Sequence, residues 1–158
     1  MNKVVIAAAK RTPIGKFMGG LATVPAPRLG AAAIQGALAA ANLTPDCVEE
    51  VFMGNVLQAG VGQAPAIYAG IPDTVPCTTV NTVCSSGMKA ISLAAQAIAL
   101  GDIEIAVAGG MENMSLAPHL VPMRTGVKLG SQALNDSMQT DGLLDAFDQV
   151  AMGTYADA

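Results

Sequence analysis

Residues 78–100 read TTVNTVCSSGMKAISLAAQAIAL, and they contain two elements in direct succession. The β-branched residues at 78–83 predict a buried strand. Strong helix formers at 85–100 predict a helix that ends at Gly101. The polar side chains of this helix form one narrow stripe, so we expect the helix to be largely buried. The stripe consists of Ser85, Lys89, Ser92 and Gln96.

The other segments give an alternating order of strands and helices. Apolar β-branched runs predict strands, and alanine-rich runs bounded by Gly, Asn or Pro predict helices. The order β-α-β-α-β-α-β is typical of an α/β layered domain, for which we expect a mixed, mainly parallel sheet. The predicted strands are residues 4–9, 48–57, 78–83 and 103–108, and the predicted helices are residues 29–41, 63–69 and 85–100. The residues that lie close to one face of the first predicted helix are Leu29, Ala33, Gly36, Ala37 and Ala40.

The composition indicates a folded chain with one large apolar surface. Of the 158 residues, 52% are hydrophobic and 13% are charged, and the formal net charge is −4. A small domain has much surface to cover for its volume, so we expect an apolar face that meets another domain or subunit. The scattered Lys and Arg residues argue against nucleic acid as a partner. No stretch reaches the roughly 18 uninterrupted apolar residues of a membrane helix, so we expect no membrane contact.

The three cysteines, Cys47, Cys77 and Cys84, lack the spacing of a disulfide framework or a zinc site, so we expect reduced thiols and no metal. Cys84 has the setting of a nucleophile, because it lies between a predicted strand and a predicted helix. Unpaired backbone N–H groups at a helix start stabilise a thiolate and an oxyanion. The alternative is a small buried residue, which is the role that we assign to Cys47 and Cys77.

Four segments of the chain resemble the thiolase family in the expected order. Residues 80–90, VNTVCSSGMKA, closely resemble the acyl-enzyme signature of thiolases, and residues 107–115, VAGGMENMS, resemble the strand and turn that follow it. Residues 11–17, RTPIGKF, are similar to the opening of the family. Residues 141–145, DGLLD, together with Met152-Gly153 resemble its CoA-side loop region.

The resemblance implies a ping-pong acyl transfer in which Cys84 takes an acyl group from acyl-CoA. A second acetyl-CoA, deprotonated at its α-carbon, would attack the thioester to give a 3-ketoacyl-CoA, and thiolysis is the reverse. It also implies that the Cys84 N–H belongs to an oxyanion hole and that Leu143 and Met152 line the pantetheine channel. The alternative for Leu143 and Met152 is a role as core side chains. CoA thioesters would be substrates, with no metal or redox cofactor.

The resemblance further implies a division of the chain and an incomplete site. Residues 1–115 would form the N-terminal α/β core domain, and residues 116–158 part of a loop domain. In thiolases the activating His and a second Cys come from a C-terminal half whose motifs are absent here, and His119 lies outside any catalytic motif. We therefore expect the isolated chain to be inactive. The intact protein would be a cytoplasmic homo-oligomer, a dimer or tetramer.

Two other functions stay open at this point. Ketoacyl synthases use a cysteine at the same kind of turn but decarboxylate a malonyl thioester. Residues 84–88, CSSGM, favour a thiolase over this alternative. A non-catalytic fragment that associates through an apolar strand edge is the third hypothesis.

Overall fold

A three-stranded parallel sheet organises the computed structural model, which describes residues 2–62 and 64–157. The strand order is β2-β1-β3, and all three strands run in the same direction. The α/β class with a mainly parallel sheet is thereby confirmed. The strands are β1 (Glu50–Gly54), β2 (Cys77–Val80) and β3 (Ala106–Gly110), and the helices around them are α1 (Ala26–Ala41), α2 (Pro65–Ala69) and α3 (Ser86–Leu100). Gln63, the predicted start of the second helix, lies outside the described residues.

The central strand β1 contributes to two hydrophobic clusters, one on each side of the sheet. Val51 and Met53 pack with residues of α1 and α2, whereas Phe52 packs with Ala90 and Ala94 of α3. Alternate side chains of a strand point to opposite faces, so this division makes a helix-sheet-helix sandwich. Burying each large side chain here contributes about 1.5–3 kcal/mol, which explains why β1 lies in the middle.

Helix α1 ends at the predicted residue, Ala41, but begins at Ala26, before the predicted start at Leu29. Asn42 adopts a left-handed conformation with φ of 56°, and the Leu43 N–H donates to the Leu38 oxygen at 3.0 Å, which closes the last turn. Leu29 and Ala33, on the face that the sequence singles out, are only half-buried. Ile34 and Leu38 are the large side chains that α1 contributes to the core. The buried residues of α1 are Ala26, Pro27, Gly30, Ala31, Ile34 and Leu38.

Helix α3 begins and ends close to the predicted positions, but it is buried on one side only. Its fully buried residues are Ser86, Ala90 and Ala94, whereas Met88 and Leu100 are 70% and 75% exposed. The expectation of a largely buried helix is wrong for these residues, because α3 packs on one face of the sheet and no described element covers its outer side. By length and composition alone the 18 residues Val83–Leu100, which include α3, could cross a membrane, although polar residues interrupt them. Helices of globular domains pass the same test, so this finding does not by itself indicate membrane contact.

Residues 4–9 form no strand, contrary to the prediction. Val5 and Ile6 are 68% and 76% exposed, and none of these six residues pairs with a described strand. The segment is anchored at its start by the Asn2 N–H, which donates to the Ala99 oxygen at 3.2 Å. A β-branched run needs a hydrogen-bonding neighbour to become a strand, and the described part of the chain provides none on this side.

The chain beyond β3 has short elements and many exposed side chains. A two-stranded antiparallel pair, β4 (His119–Leu120) with β5 (Asn135–Asp136), is separate from the main sheet. One π-helical turn (Gln139–Leu143) and helix α4 (Met152–Ala156) follow. The division into a core domain at 1–115 and a loop segment at 116–158 stays a prediction.

Candidate functional site

The carboxyl ends of the three parallel strands lie at one edge of the sheet. In the strand register Gly54 of β1 faces both Val80 of β2 and Gly110 of β3. The next residues continue the pairing, because the Asn55 N–H donates to the Val80 oxygen at 3.1 Å and the Met111 N–H donates to the Gly54 oxygen at 2.9 Å. Open α/β sheets bind ligands at this edge, so the loops that leave it are the first place to search for a site.

Glycines allow the start of α3 to approach this edge closely. A Cβ on Gly54 would lie 2.7 Å from the Ser86 carbonyl carbon and 2.8 Å from the Gly87 nitrogen. A Cβ on Gly110 would lie 3.7 Å from the Gly87 Cα. Any side chain at Gly54 would therefore push the helix start away from the sheet. The missing side chain at Gly54 therefore sets how closely the helix start approaches the strand ends, whereas a Cβ on Gly110 would make an ordinary contact.

The turn that carries Cys84 is strained and held by hydrogen bonds from its own side chains. Val83 has a φ of 55°, a left-handed conformation that is a genuine outlier for a β-branched residue. The Val83 N–H donates to the Asn81 Oδ1 at 3.0 Å. The Ser86 hydroxyl accepts from the Thr82 N–H at 3.0 Å and donates to the Val83 oxygen. These bonds hold the turn in a conformation that presents the Cys84 side chain, which is exposed.

The start of α3 leaves backbone donors available beside Cys84. The Ser86 N–H donates to the Val83 oxygen and the Lys89 N–H to the Ser85 oxygen. Within residues 2–62 and 64–157, no group accepts a hydrogen bond from the N–H of Gly87 or Met88. Cys84 lies between β2 and α3, next to free N–H groups that can hold negative charge, and its role as nucleophile stays a prediction.

Cys84 opens into a cavity of about 390 Å³. Its wall includes Asn55, Glu112, Met114 and Leu143 in addition to Cys84. The structure thus brings Leu143 to Cys84 across 59 positions of sequence. Met152, at the start of α4, and His119, on β4, are not among the lining residues. The predicted CoA contacts of Leu143 and Met152 stay predictions.

The other two cysteines have different surroundings. The prediction of a buried Cys77 is wrong, because Cys77 is exposed at the start of the edge strand β2. Partial desolvation first and the Glu50 charge second raise the pKa of its thiol. Cys47 lies in a 3₁₀ turn, with its sulfur 3.3 Å from the Thr44 hydroxyl. Neither cysteine lines the Cys84 cavity. In the part of the chain that the structure describes, no group of three or more His, Cys, Asp or Glu residues could hold a metal ion.

The sequence analysis did not identify Glu112, whose carboxylate holds the loop after β1 in place by hydrogen bonds at one side of the cavity. Glu112 Oε2 accepts from the Val56 N–H at 2.8 Å, and its Oε1 accepts from the Asn55 amide nitrogen at 2.8 Å. The Leu57 N–H lies 3.4 Å from both oxygens. Asn55 is 2% exposed, and its amide also donates to the Met111 oxygen at 3.2 Å. The available signal was that Asn55 and Glu112 follow closely after strands of one parallel sheet.

Asn113 and Ser115, which follow Glu112 in the sequence, bind the segment before α1 by hydrogen bonds. The Asn113 amide donates to the oxygens of Leu21 and Val24 at 3.1 and 2.7 Å. The Ser115 hydroxyl accepts from the Met18 N–H at 2.9 Å. The turn after β3 therefore connects the segment before α1 to the loop after β1, and every one of these bonds spans more than 50 positions of sequence.

Known proteins of one family match this chain over nearly its whole length. A family model described as "Thiolase, N-terminal domain" matches residues 4–158. The acetyl-CoA acetyltransferase of Cupriavidus necator is 53% identical over an alignment of 162 positions, which covers 99% of this chain and 41% of that protein. The cytosolic acetyl-CoA acetyltransferase of Rattus norvegicus is 51% identical, over 99% of this chain and 40% of that protein. The mitochondrial one of Mus musculus is 48% identical, over 99% and 38%.

A solved structure gives the same result for the fold. The crystal structure of a thiolase from Ascaris suum in complex with coenzyme A superimposes with a TM-score of 0.90 at 42% identity. The match covers 96% of this chain and 41% of that one. The chain spans about two fifths of the length of the curated relatives that it matches.

Proposed function

Because the chain belongs to the thiolase family through its N-terminal domain, we propose that it carries the nucleophile part of an acetyl-CoA acetyltransferase site, with Cys84 as the acyl acceptor. The observation that carries the proposal is the exposed Cys84 thiol, which opens into a cavity beside free N–H groups at the start of a helix. A thiolate nucleophile and donors for the developing oxyanion are the two requirements of acyl transfer to cysteine.

In the first step the Cys84 thiolate attacks the thioester carbonyl of acyl-CoA. A bond forms between sulfur and the carbonyl carbon, and the coenzyme leaves as a thiolate that takes up a proton. The negative charge on the carbonyl oxygen of the intermediate would be stabilised by backbone N–H groups of the turn at Cys84. Leu143 in the cavity wall supplies an apolar surface for the pantetheine arm.

In the second step the enolate of acetyl-CoA attacks the Cys84 thioester, which forms the carbon-carbon bond of a 3-ketoacyl-CoA and frees the thiol. The α-proton must go to a base, and no His residue lines the cavity in the described ranges. The family resemblance implies that the activating His and a second Cys come from a C-terminal half. We therefore propose that the 158-residue chain accepts an acyl group but does not complete the condensation.

The proposal extends to substrates, assembly and location. CoA thioesters act as substrates, and no resident metal or cofactor takes part. Assembly as a homo-oligomer is supported by the exposed Met88, Ile91 and Leu100 of α3, which an interface could cover. A cytoplasmic location is supported by the rat relative that is named cytosolic, whereas the related mouse protein is named mitochondrial.

Incubation of the chain with acetyl-CoA, followed by mass spectrometry of its peptides, tests the proposal. We expect one acetyl group on Cys84 as a thioester that hydroxylamine removes, and no acetoacetyl-CoA in the solution. Cys84→Ser should abolish the labelling, whereas the matched variant Cys77→Ser should not change it. An acetyl group spread over Cys47, Cys77 and Cys84 would refute the assignment of Cys84.

A further inference from the structure

Glu112 lines the Cys84 cavity, yet its oxygens are directed at the protein itself. We propose that Glu112 is a positioning residue, which sets the geometry of Cys84 and of the opposite cavity wall by fixing the loop after β1. This loop, residues 55–57, is named the β1 loop below. The inference deepens the proposed acyl transfer and rests on it for its meaning in catalysis.

The hydrogen bonds show that Glu112 clamps the β1 loop. Two successive backbone donors, the N–H groups of Val56 and Leu57, point at the same carboxylate, and the Asn55 amide joins them. Bonds from N–H to a charged carboxylate are roughly twice as strong as neutral ones. The clamp therefore fixes the path of three consecutive residues at the edge of the sheet.

One connection runs from the β1 loop to the turn of Cys84. The Asn81 amide nitrogen donates to the Val56 oxygen at 3.5 Å, and the Asn81 Oδ1 accepts from the Val83 N–H at 3.0 Å. Val83 is the residue in the left-handed conformation directly before Cys84. Movement of Val56 thus removes one of the supports of a turn whose backbone is already strained.

A second connection runs from the β1 loop to the wall that carries Leu143. A Cβ on Gly142 would lie 3.4 Å from the Leu57 Cδ2 and 3.7 Å from the Val56 Cγ1, so Gly142 packs directly on the loop. Gly142 is buried and precedes Leu143 in the π-helical turn. The position of the β1 loop therefore also sets the distance between the wall and the nucleophile.

The same bonds argue that Glu112 does not transfer protons itself. A carboxylate has about four acceptor positions, and here three donors, the Asn55 amide and the N–H groups of Val56 and Leu57, already use most of them. A base must direct a free oxygen at the proton that it removes. Glu112 consequently acts through the β1 loop and not on the substrate.

Rates of alkylation by iodoacetamide, followed for each cysteine by mass spectrometry, test this inference in the 158-residue chain. The variants are Glu112→Asp, which keeps the charge but withdraws it by one methylene, and Glu112→Gln, which keeps the size. We expect both to slow Cys84 about threefold or more, because movement of the turn takes the sulfur away from the N–H groups at the helix start that stabilise its thiolate. Cys47 and Cys77 are internal references that should stay within about twofold.

Glu49→Gln is the matched control, because the Glu49 carboxylate also accepts two backbone N–H bonds, from Glu104 and Ile105, at the opposite end of the sheet. It should not change the Cys84 rate. An alkylation rate of Cys84 that is unchanged or higher in Glu112→Asp would overturn the inference. Equal changes in the alkylation rates of all three thiols would also overturn it, because they indicate that the whole chain is destabilised. If the unsubstituted chain alkylates at Cys84 but takes no acetyl group from acetyl-CoA, the proposed function fails while the positioning role is still decided by the variants.

Discussion

Replacement of Gly54 by Ala tests how closely the start of α3 must approach the sheet. The new Cβ would lie 2.7 Å from the Ser86 carbonyl carbon and 2.8 Å from the Gly87 nitrogen, whereas carbon contacts are optimal at about 3.5–4.0 Å. The helix start must therefore retreat by about 1 Å. Overpacking of this kind costs about 3 kcal/mol when backbone has to move, and the lower entropy of the unfolded Ala chain returns about 0.4–1 kcal/mol.

The net loss of about 2 kcal/mol corresponds to a fall in Tm of about 4–8 °C for a chain of this size. Thermal unfolding by circular dichroism measures it, and the Cys84 alkylation rate should fall in the same variant because Cys84 moves with the helix start. Gly109→Ala is the matched control, since its Cβ would meet the Met53 sulfur at an ordinary 3.6 Å. Equal Tm values and equal Cys84 rates in the two variants would refute the close-approach reasoning.

Two further predictions concern backbone strain and pH. Val83→Gly should leave the free energy of unfolding within about 1 kcal/mol of the unsubstituted chain, because relief of the left-handed conformation offsets the lost side chain. Val80→Gly, at a regular buried strand position, should cost about 3 kcal/mol, and equal costs in urea titrations would contradict the strain. The backbone N–H groups of Glu104 and then Ile105 lower the pKa of Glu49, so its stabilising effect is present at neutral pH and is lost on acidification. Urea midpoints of Glu49→Gln should therefore fall less steeply than those of the unsubstituted chain between about pH 5 and 3, and parallel profiles would exclude this contribution.

The sequence predicts those parts of the fold that depend on local patterns. The β-branched run before Cys84 and the glycine at 101 locate β2 and α3 to within a few residues, because propensity and helix ends are local properties. The strand predicted at residues 4–9 does not form, since a strand also needs a partner that its own residues cannot supply. The prediction that α3 is largely buried is wrong for a related reason. Burial of its outer side depends on another element that covers it, which the residues of α3 cannot specify.

The residues of the candidate site also differ in how far local sequence predicts them. Cys84 could be predicted because the strand, the turn and the helix around it are contiguous in sequence. Glu112 could not, because its partners Asn55, Val56 and Leu57 lie more than 50 positions away and come close only through the register of β1 with β3. The positions of Asn55 and Glu112 just after two strands are the one available signal, and they do not indicate which loop the carboxylate meets.

The uncovered side of α3 has a practical consequence for anyone who prepares this chain. This side of α3 exposes three large hydrophobic side chains to solvent, those of Met88, Ile91 and Leu100. Concentrated samples will therefore tend to self-associate. Lysine or glutamate at these three positions would make the outer side of α3 hydrophilic without disturbing Ala90 and Ala94, which pack on the sheet. Such a variant would be the better starting material for crystallisation or NMR.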